Sequence, residues 1–186
     1  MTRLERAFLA VVPPPAVLDA IDQRLEPIAA TEPRLRWLPR PQWHVTLQFL
    51  GTVDDAEALA AAAGAALARR APFTHQLAAA GGFPSTRRAT VLWIGVEPDQ
   101  ALADLAATVT AATTALGHVP EPRRYHPHLS VARAARPRPV TRAVEAIGPE
   151  PVGPAWTVTE VALVRSDLRP EGALHTPWCQ LALENA

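Results

Sequence analysis

Seven segments of the chain are either continuously apolar or alternate between apolar and polar residues, as strands with at least one buried face do. They cover residues 6–12, 44–51, 73–83, 90–96, 128–133, 155–164 and 178–183. Apolar residues at helical spacing predict helices over residues 16–29, 99–116 and 140–147. A further, alanine-rich helix is predicted from about residue 54 to residue 70, with Asp54 as its cap and Glu57 returning the bond.

The order of strands and helices nearly repeats along the chain, as a weak internal duplication. This order predicts an α+β protein with two pseudo-symmetric lobes, each a largely antiparallel sheet with covering helices, around a central cleft. A length of 186 residues suits a single bilobal domain, residues 1–186, which can bury a core without disulfides or metals.

Two of the predicted strands carry the same polar pair. HVTLQFLG places His44 and Thr46 on one strand face, and HPHLSVAR does the same with His128 and Ser130. If the two strands face each other, two imidazoles and two hydroxyls surround a tetrahedral group. One imidazole can then take a proton from water and the other can protonate a leaving oxygen. The hydroxyls can donate hydrogen bonds to non-bridging phosphate oxygens, and this chemistry requires no metal.

The alternation in HVTLQFLG also divides its other residues between two faces. It predicts that Val45, Leu47 and Phe49 point into the core and that Gln48 shares the polar face of His44 and Thr46.

Charge and composition narrow the class of partner. The 18 basic residues, all arginine, balance 18 acidic ones, which argues against an avid, sequence-blind binder of duplex nucleic acid. The two motif windows are nevertheless basic: residues 33–53 hold three arginines and no acid, and residues 120–140 hold five arginines and one acid. The single Cys179 excludes an internal disulfide, and no apolar run approaches the roughly 20 residues of a membrane span. The chain start is predicted to be a strand rather than a signal peptide, so a cytoplasmic location is expected.

The remaining histidines leave one alternative open. His126 shares a face with His128 and could form an H-x-H metal motif with it, or it could support the strand entrance. Acidic residues near the motifs are too few to complete a metal shell, so no metal is expected. His75, His118 and His175 have no motif partner and are expected to be surface or structural residues.

Taken together, these residues resemble the 2H phosphoesterase superfamily, and within it the bacterial and archaeal RNA 2′,3′-cyclic phosphodiesterases, historically called 2′-5′ RNA ligases. The resemblance covers nearly the whole chain in the family's order. The segments that carry it are RAFLAVVPP, RWLPRPQWHVTLQFLG, GGFP with VLWIGV, YHPHLSVAR and LVRSDLRPEGALHTPW. It implies a bilobal fold, no cofactor, and hydrolysis of a 2′,3′-cyclic phosphate to a 2′-phosphate without metal.

The resemblance also implies roles for individual residues. His44 would be the proton donor and His128 the proton acceptor, with Thr46 and Ser130 holding the phosphoryl oxygens. Arg133 occupies the family's arginine after the second motif and would neutralise phosphate charge. Its odd offset from Ser130 places it on the other strand face unless the strand ends or bulges there.

The sequence departs from the family's pattern at two places. Ala89-Thr90 stand where the family often has Pro-Arg, which puts an arginine contact from there in doubt, although Arg87 or Arg88 could replace it. His175 stands where a tyrosine is common.

The expected partner is RNA, or an oligonucleotide, with a 2′,3′-cyclic phosphate end, bound by a monomer and not by a membrane protein. Trp37, Trp43, Phe49 or Tyr125 could stack a base, although Trp37 and Phe49 could instead be core residues, as the alternation favours for Phe49. Alternative functions are a hydrolase of another cyclic phosphate or of a 2′-5′ linkage, a metal hydrolase using His126 and His128, and a non-catalytic RNA-binding module. Ligation in vitro would be the reverse reaction.

Overall fold

Strands pair only in the antiparallel sense throughout the part of the chain that the computed structural model describes, residues 1–170 and 172–184. Within those residues the helices are α1 (Pro15–Thr31), α2 (Ala56–Leu67), α3 (Gln100–Thr114) and α4 (Thr141–Ile147). The strands are β1 (Leu4–Val11), β2 (Arg36–Trp37), β3 (Val45–Val53), β4 (Phe73–Phe83), β5 (Ala89–Glu97), β6 (His128–Arg138), β7 (Trp156–Val158), β8 (Glu160–Arg169) and β9 (Gly172–Ala182). A short 3₁₀ helix covers Arg40–Gln42.

The strands follow the order β7-β4-β5-β6-β3-β1-β8-β9, with β2 paired to β6 beside the junction with β3. The first lobe consists of β3, β1, β8 and β9 with helices α2 and α3, and the second consists of β6, β5, β4 and β7 with helices α1 and α4. The predicted α+β fold with two lobes of antiparallel sheet and covering helices is therefore confirmed. The predicted domain, residues 1–186, includes Glu171, Asn185 and Ala186, which lie outside the described residues.

The two halves of the chain do not form one lobe each. In the first half, β1, β3 and α2 belong to the first lobe, whereas α1 and β4 belong to the second. In the second half, β5, β6 and α4 belong to the second lobe, whereas α3 and β8 belong to the first. Each half thus supplies a motif strand, its neighbour and one helix to its own lobe. The first half adds a helix and a strand to the other lobe, and the second half adds a helix and two strands, β8 and β9.

The helices pack their apolar stripes on one face of the sheet. Helix α1 buries Val17, Ile21, Leu25 and Ile28, at the spacing that predicted it. These residues join the main core cluster together with Leu129, Val131 and many strand residues. Burial of each large aliphatic side chain contributes about 1.5–3 kcal/mol, so this layer holds the sheet curved over the helices. On the opposite face, Phe8, Ala10, Ala162 and Val164 form a separate small cluster.

Several predicted boundaries differ from the structure. The segment predicted as one strand over residues 155–164 is divided into β7 and β8, and β9 starts at Gly172, six residues before the predicted strand (178 − 172). The cap of α2 is Asp55, whose side chain accepts a hydrogen bond from the Ala58 amide at 3.0 Å, and not Asp54. Glu57 does not return a capping bond, because its carboxylate accepts hydrogen bonds from the amide and hydroxyl of Thr2.

None of the helices in the described residues has the length and apolar character that crossing a membrane requires.

Candidate active site

The two motif strands meet at the centre of the sheet, where Val45 of β3 lies opposite Leu129 of β6. In an antiparallel pair, the residue after one member lies across from the residue before the other. This register directs Thr46 toward His128 on one side of the pair and His44 toward Ser130 on the other. Each imidazole is therefore directed toward the hydroxyl of the other motif, and the two motifs lie at the same junction of the sheet.

Thr46 and Ser130 are partly buried on the sheet face opposite Val45 and Leu129. Within residues 1–170 and 172–184 neither hydroxyl forms a hydrogen bond with a side chain or the main chain. Both hydroxyls thus retain their donor for a group bound between the strands.

His44 lies one residue before β3, in a cluster of three rings. Its ring stacks on Phe8 with centroids 4.6 Å apart and an interplanar angle of 25°. The ring of His175 meets it edge-on, at 5.2 Å and 88°. Burial lowers the pKa of His44 to about 3, reinforced by His175, His128 and Arg133 and opposed by a main-chain hydrogen bond at Gln42. His44 is therefore a neutral imidazole at pH 7 when no anion is present.

His128 is held in one tautomer. Its Nδ1 lies 2.7 Å from the main-chain oxygen of His126, and because a carbonyl can only accept, Nδ1 carries the hydrogen. Nε2 of the neutral ring is then a free acceptor. The pKa of His128 is lowered by burial, and further by the charges of His126, Arg123 and Arg133, although the bond to the His126 carbonyl raises it.

Aromatic rings on the second lobe support His128. Phe83 meets its ring edge-on at 4.8 Å, and Trp93 lies at 6.3 Å. Trp93 can lie flat across β4 because residue 81 is glycine: a Cβ atom there would be 2.2 Å from Cζ2 of the indole. The GGFP segment therefore shapes this wall of the cleft.

Both motif strands contain a bulge directly after the hydroxyl residue. In β3, Thr46 pairs with Ala10 but Gln48 pairs with the next residue along β1, Leu9, so Leu47 is the extra residue. In β6, Ser130 pairs with Trp93 and Ala132 with Leu92, so Val131 is the extra residue. A bulge shifts the alternation of faces by one position for every residue that follows it.

The bulges correct the predicted orientation of residues in HVTLQFLG. Gln48 was predicted on the cleft face, but it is only 5% exposed and bonds with Thr113 and the His118 carbonyl on the helix side. Phe49 was predicted in the core, but it is 58% exposed and packs 6.0 Å from Phe8. Phe49 thus belongs to the cleft.

The second bulge has the same effect on Arg133. With Val131 and Ala132 both buried, Arg133 returns to the face of Ser130 and is exposed. Its charge lowers the pKa of His44, His128 and His175, which places the guanidinium near all three rings. Arg133 and Phe49 therefore occupy equivalent positions in the two motifs, one cationic and one aromatic.

Of the residues predicted to stack a base, Phe49 has the exposed face. Trp43 is only 5% exposed and belongs to the core. Trp37 is partly buried against the core. The hydroxyl of Tyr125 donates a hydrogen bond to the main-chain carbonyl of Thr46 at 2.9 Å, which ties the segment before β6 to β3. Burial raises the pKa of Tyr125.

The histidines outside the motifs occupy three kinds of site. His75 is buried and structural, and Nδ1 of His118 lies 3.2 Å from the Leu50 carbonyl, away from the cleft. His126 packs against Phe83 and Trp93. In the described ranges, no three or more His, Cys, Asp or Glu side chains are grouped to hold a metal ion.

The sequence did not predict that His175 would lie in the site. Its side chain contacts both Phe8 and His44. The signal that could have identified His175 is that it replaces the tyrosine common at that position in the family. The segment around it was not predicted to be a strand.

A curved antiparallel sheet with two H-x-(T/S) strands meeting at its centre defines a 2H phosphoesterase. The model of the 2′-5′ RNA ligase superfamily matches residues 13–170, and the chain belongs to that family.

Two relatives that match most of the chain carry the same name. An RNA 2′,3′-cyclic phosphodiesterase of Methanothermobacter thermautotrophicus is 31% identical over 92% of this chain and 95% of its own. One from Thermus thermophilus is 32% identical over 92% of this chain and 86% of its own.

Solved structures agree with the fold. The crystal structure of E. coli LigT in apo form matches 98% of this chain and 99% of its own with a TM-score of 0.78 and 28% identity. LigT has also been solved in complex with 3′-AMP and with phosphate.

Proposed function

We propose that the protein hydrolyses 2′,3′-cyclic phosphate ends of RNA to 2′-phosphates by acid–base catalysis with His44 and His128. The observation that carries this proposal is the register at Val45 and Leu129, which brings two imidazoles and two unbonded hydroxyls to the same junction of the sheet. The relatives named as RNA 2′,3′-cyclic phosphodiesterases support the choice of substrate.

The reaction assigns one step to each group. Nε2 of His128 takes a proton from water as the water oxygen attacks phosphorus. The bond from phosphorus to the ribose 3′ oxygen breaks, and His44 gives its proton to that oxygen. A 2′-phosphate monoester and a free 3′-hydroxyl result, and return of the proton from His128 to solvent and of one to His44 completes the cycle. The tautomer fixed by the His126 carbonyl leaves Nε2 of His128 unprotonated, so this nitrogen can act as the base.

Substrate binding would prepare His44 for its part. The ring is neutral in the empty site because burial and nearby cations oppose its charge. A bound cyclic phosphate is an anion, and an anion within a few ångströms favours the imidazolium and raises its pKa. Thr46 and Ser130 would donate to the non-bridging oxygens, and Arg133 would offset their charge.

The exposed ring of Phe49 would stack the terminal base. Stacking on an aromatic ring tolerates any base, which suits an enzyme that acts on ends rather than sequences.

Both halves of the site come from one chain, which supports a monomer. The single Cys179 suits a cytoplasmic location.

The test is hydrolysis of nucleoside 2′,3′-cyclic phosphates in EDTA, with the product isomer identified by phosphorus NMR. We expect the 2′-phosphate, and a loss of about 10²–10⁴-fold in kcat in both His44→Ala and His128→Ala. His118→Ala is the matched control, because that histidine lies outside the cleft, and it should retain wild-type turnover.

Each other outcome identifies a different function. RNA binding without turnover would make the protein a binding module, and activity lost to chelator would indicate a metal hydrolase. Turnover only of 2′-5′ linked dinucleotides, or only of another cyclic phosphate, would identify that compound as the substrate class instead. Joining of a 2′,3′-cyclic end to a 5′-hydroxyl end would be the same displacement at phosphorus, with the 5′-hydroxyl in place of water.

A further inference from the structure

His175 contacts the proposed proton donor, although it lies on β9, far from both motifs in sequence. Its ring meets His44 edge-on at 5.2 Å and Phe8 edge-on at 5.1 Å. Phe8 in turn stacks on the flat face of His44. Two neighbours at right angles therefore restrict the ring of His44, one across its face and one across its edge.

The polar atoms of His175 indicate more than packing. Its Nδ1 is buried and has no hydrogen-bond partner in the part of the chain that the structure describes. Across β8, its main-chain partner is Ser166, which carries no charge. Nothing anionic among the groups acting on His175 stabilises its ring, and both burial and Arg133 lower its pKa.

The charged groups that face His44 share one sign. They are His175 from β9, and His128 and Arg133 from β6. His44 also lines a pocket of about 320 Å³, to which Arg40 contributes from the 3₁₀ helix, but Asp19 and Asp22 of α1 bind the Arg40 guanidinium. Among these groups, His175 lowers the pKa of His44 the most, and its own charge depends on pH.

We propose that His175 is a positioning residue for His44: its ring fixes the orientation of the His44 imidazole, and once it is protonated it prevents His44 from becoming cationic until an anionic phosphate is bound. Like charges this close disfavour double protonation, so as the pH falls the empty site takes up one proton on the two rings, and His175 carries it. A phosphate anion between the strands offsets the repulsion and allows His44 to take up its own proton. Protonation of the donor is thus coupled to occupancy of the site.

This inference deepens the proposed function and relies on His44 being its proton donor, but its test needs no turnover. The test is an NMR titration of the imidazole Cε1–H signals in the free protein and with inorganic phosphate. The variants are His175→Phe, which keeps a ring and removes the charge, and His175→Lys, which keeps a charge. His118→Gln is the control.

In the free wild-type protein, His44 should remain neutral down to about pH 4. In His175→Phe its titration should move up by roughly one pH unit, and in His175→Lys and His118→Gln it should not rise. Phosphate should raise the titration of His44 more in wild type than in His175→Phe. Should the Phe variant fail to fold, His175→Gln, which also removes the charge at this partly exposed position, is measured instead.

Unchanged His44 titration in a folded His175→Phe or His175→Gln protein would overturn the inference, whether or not the wild type hydrolyses cyclic phosphates. Conversely, an upward shift in a protein without turnover would support the coupling and reject only the proposed function.

Discussion

Val45 and Leu129 lie opposite each other at the point where the two lobes join, and theirs is the single backbone pairing between β3 and β6 in the described residues. The four motif side chains flank this pair. The spacing of the proposed acid and base therefore depends on how firmly the two strands are held at one point.

Tyr125 supplies a second link between the motif strands, through its hydrogen bond to the Thr46 carbonyl. Tyr125→Phe removes that bond and keeps the ring, so we expect a loss of about 1 kcal/mol in the free energy of unfolding, measured by urea denaturation. Because Thr46 is directed toward His128, kcat should also fall. A folded variant with wild-type stability and turnover would show that the pairing at Val45 is sufficient.

Phe49→Ala should weaken recognition of the base without affecting the chemistry. Base–aromatic stacking contributes about 1–3 kcal/mol, so kcat/KM for a nucleoside 2′,3′-cyclic phosphate should fall at least about fivefold. A ribose 2′,3′-cyclic phosphate without a base should be hydrolysed equally by wild type and variant. Leu116→Ala, which shortens an exposed apolar side chain outside the cleft, is the control. Equal losses on both substrates would mean that Phe49 serves the fold or the phosphate site instead.

Arg133→Ala should remove a cation from the phosphate site, and we expect kcat/KM to fall by about a hundredfold. It should also raise the pKa of His44, His128 and His175, because Arg133 lowers all three. Arg133→Lys should restore part of the activity, since it keeps the charge but loses the planar fork. Arg136→Ala is the control on the same strand, and a similar loss there would indicate general electrostatic attraction of RNA.

The pH dependence of kcat/KM should be a bell with both limbs below about pH 6.5. Ordinary imidazoles would place these limbs at about pH 6.5, but burial and neighbouring cations lower the pKa of His44 to about 3 and lower that of His128 as well. Activity requires one proton on the pair, so kcat/KM falls above the higher pKa and below the lower one. In the complex the phosphate anion raises both values, so the limbs of kcat should lie at higher pH. A kcat/KM limb above about pH 7 would contradict the assignment.

His75 should make stability depend on pH. It is 1% exposed, packs 4.0 Å from the ring of Trp156, and neither ring nitrogen has a partner in the described chain. Burial lowers its pKa to about 4, so the unfolded chain binds this proton more readily below pH 6.5. The free energy of unfolding should thus be unaffected above about pH 6.5 and fall by up to about 3 kcal/mol as the pH drops to about 4. Urea denaturation of His75→Leu should show a shallower decline, and parallel curves would exclude His75 as the cause.

Periodicity was sufficient to predict most elements, because the apolar stripe of a helix such as α1 and the alternation of a strand are properties of the local sequence. It predicted Phe73–Phe83 and the start of the second motif strand at His128 as the structure has them. The pairing of the motifs followed from their shared residue types. These features need only neighbours in sequence.

The bulges could not be predicted, because an extra residue in a strand is defined by its partner strand. The predicted faces of Gln48 and Phe49 were therefore exchanged. Arg133 lies on the face of the site only because of the bulge at Val131. His175 was missed because the β8–β9 hairpin is exposed near its tip, with Leu168 and Leu174 facing solvent, and lacks a clear alternation. The exchange of helices and strands between lobes is likewise a tertiary property.

The position of β1 between β3 and β8 has a consequence for synthesis on the ribosome. A nascent chain that ends before β8 has both H-x-(T/S) motifs but leaves one edge of β1 without a partner, and unpaired edges invite association with other chains. It also lacks His175, so the ring of His44 is without its edge-on neighbour. The first strand to emerge must wait for one of the last, which makes late truncations more damaging than their distance from the motifs suggests.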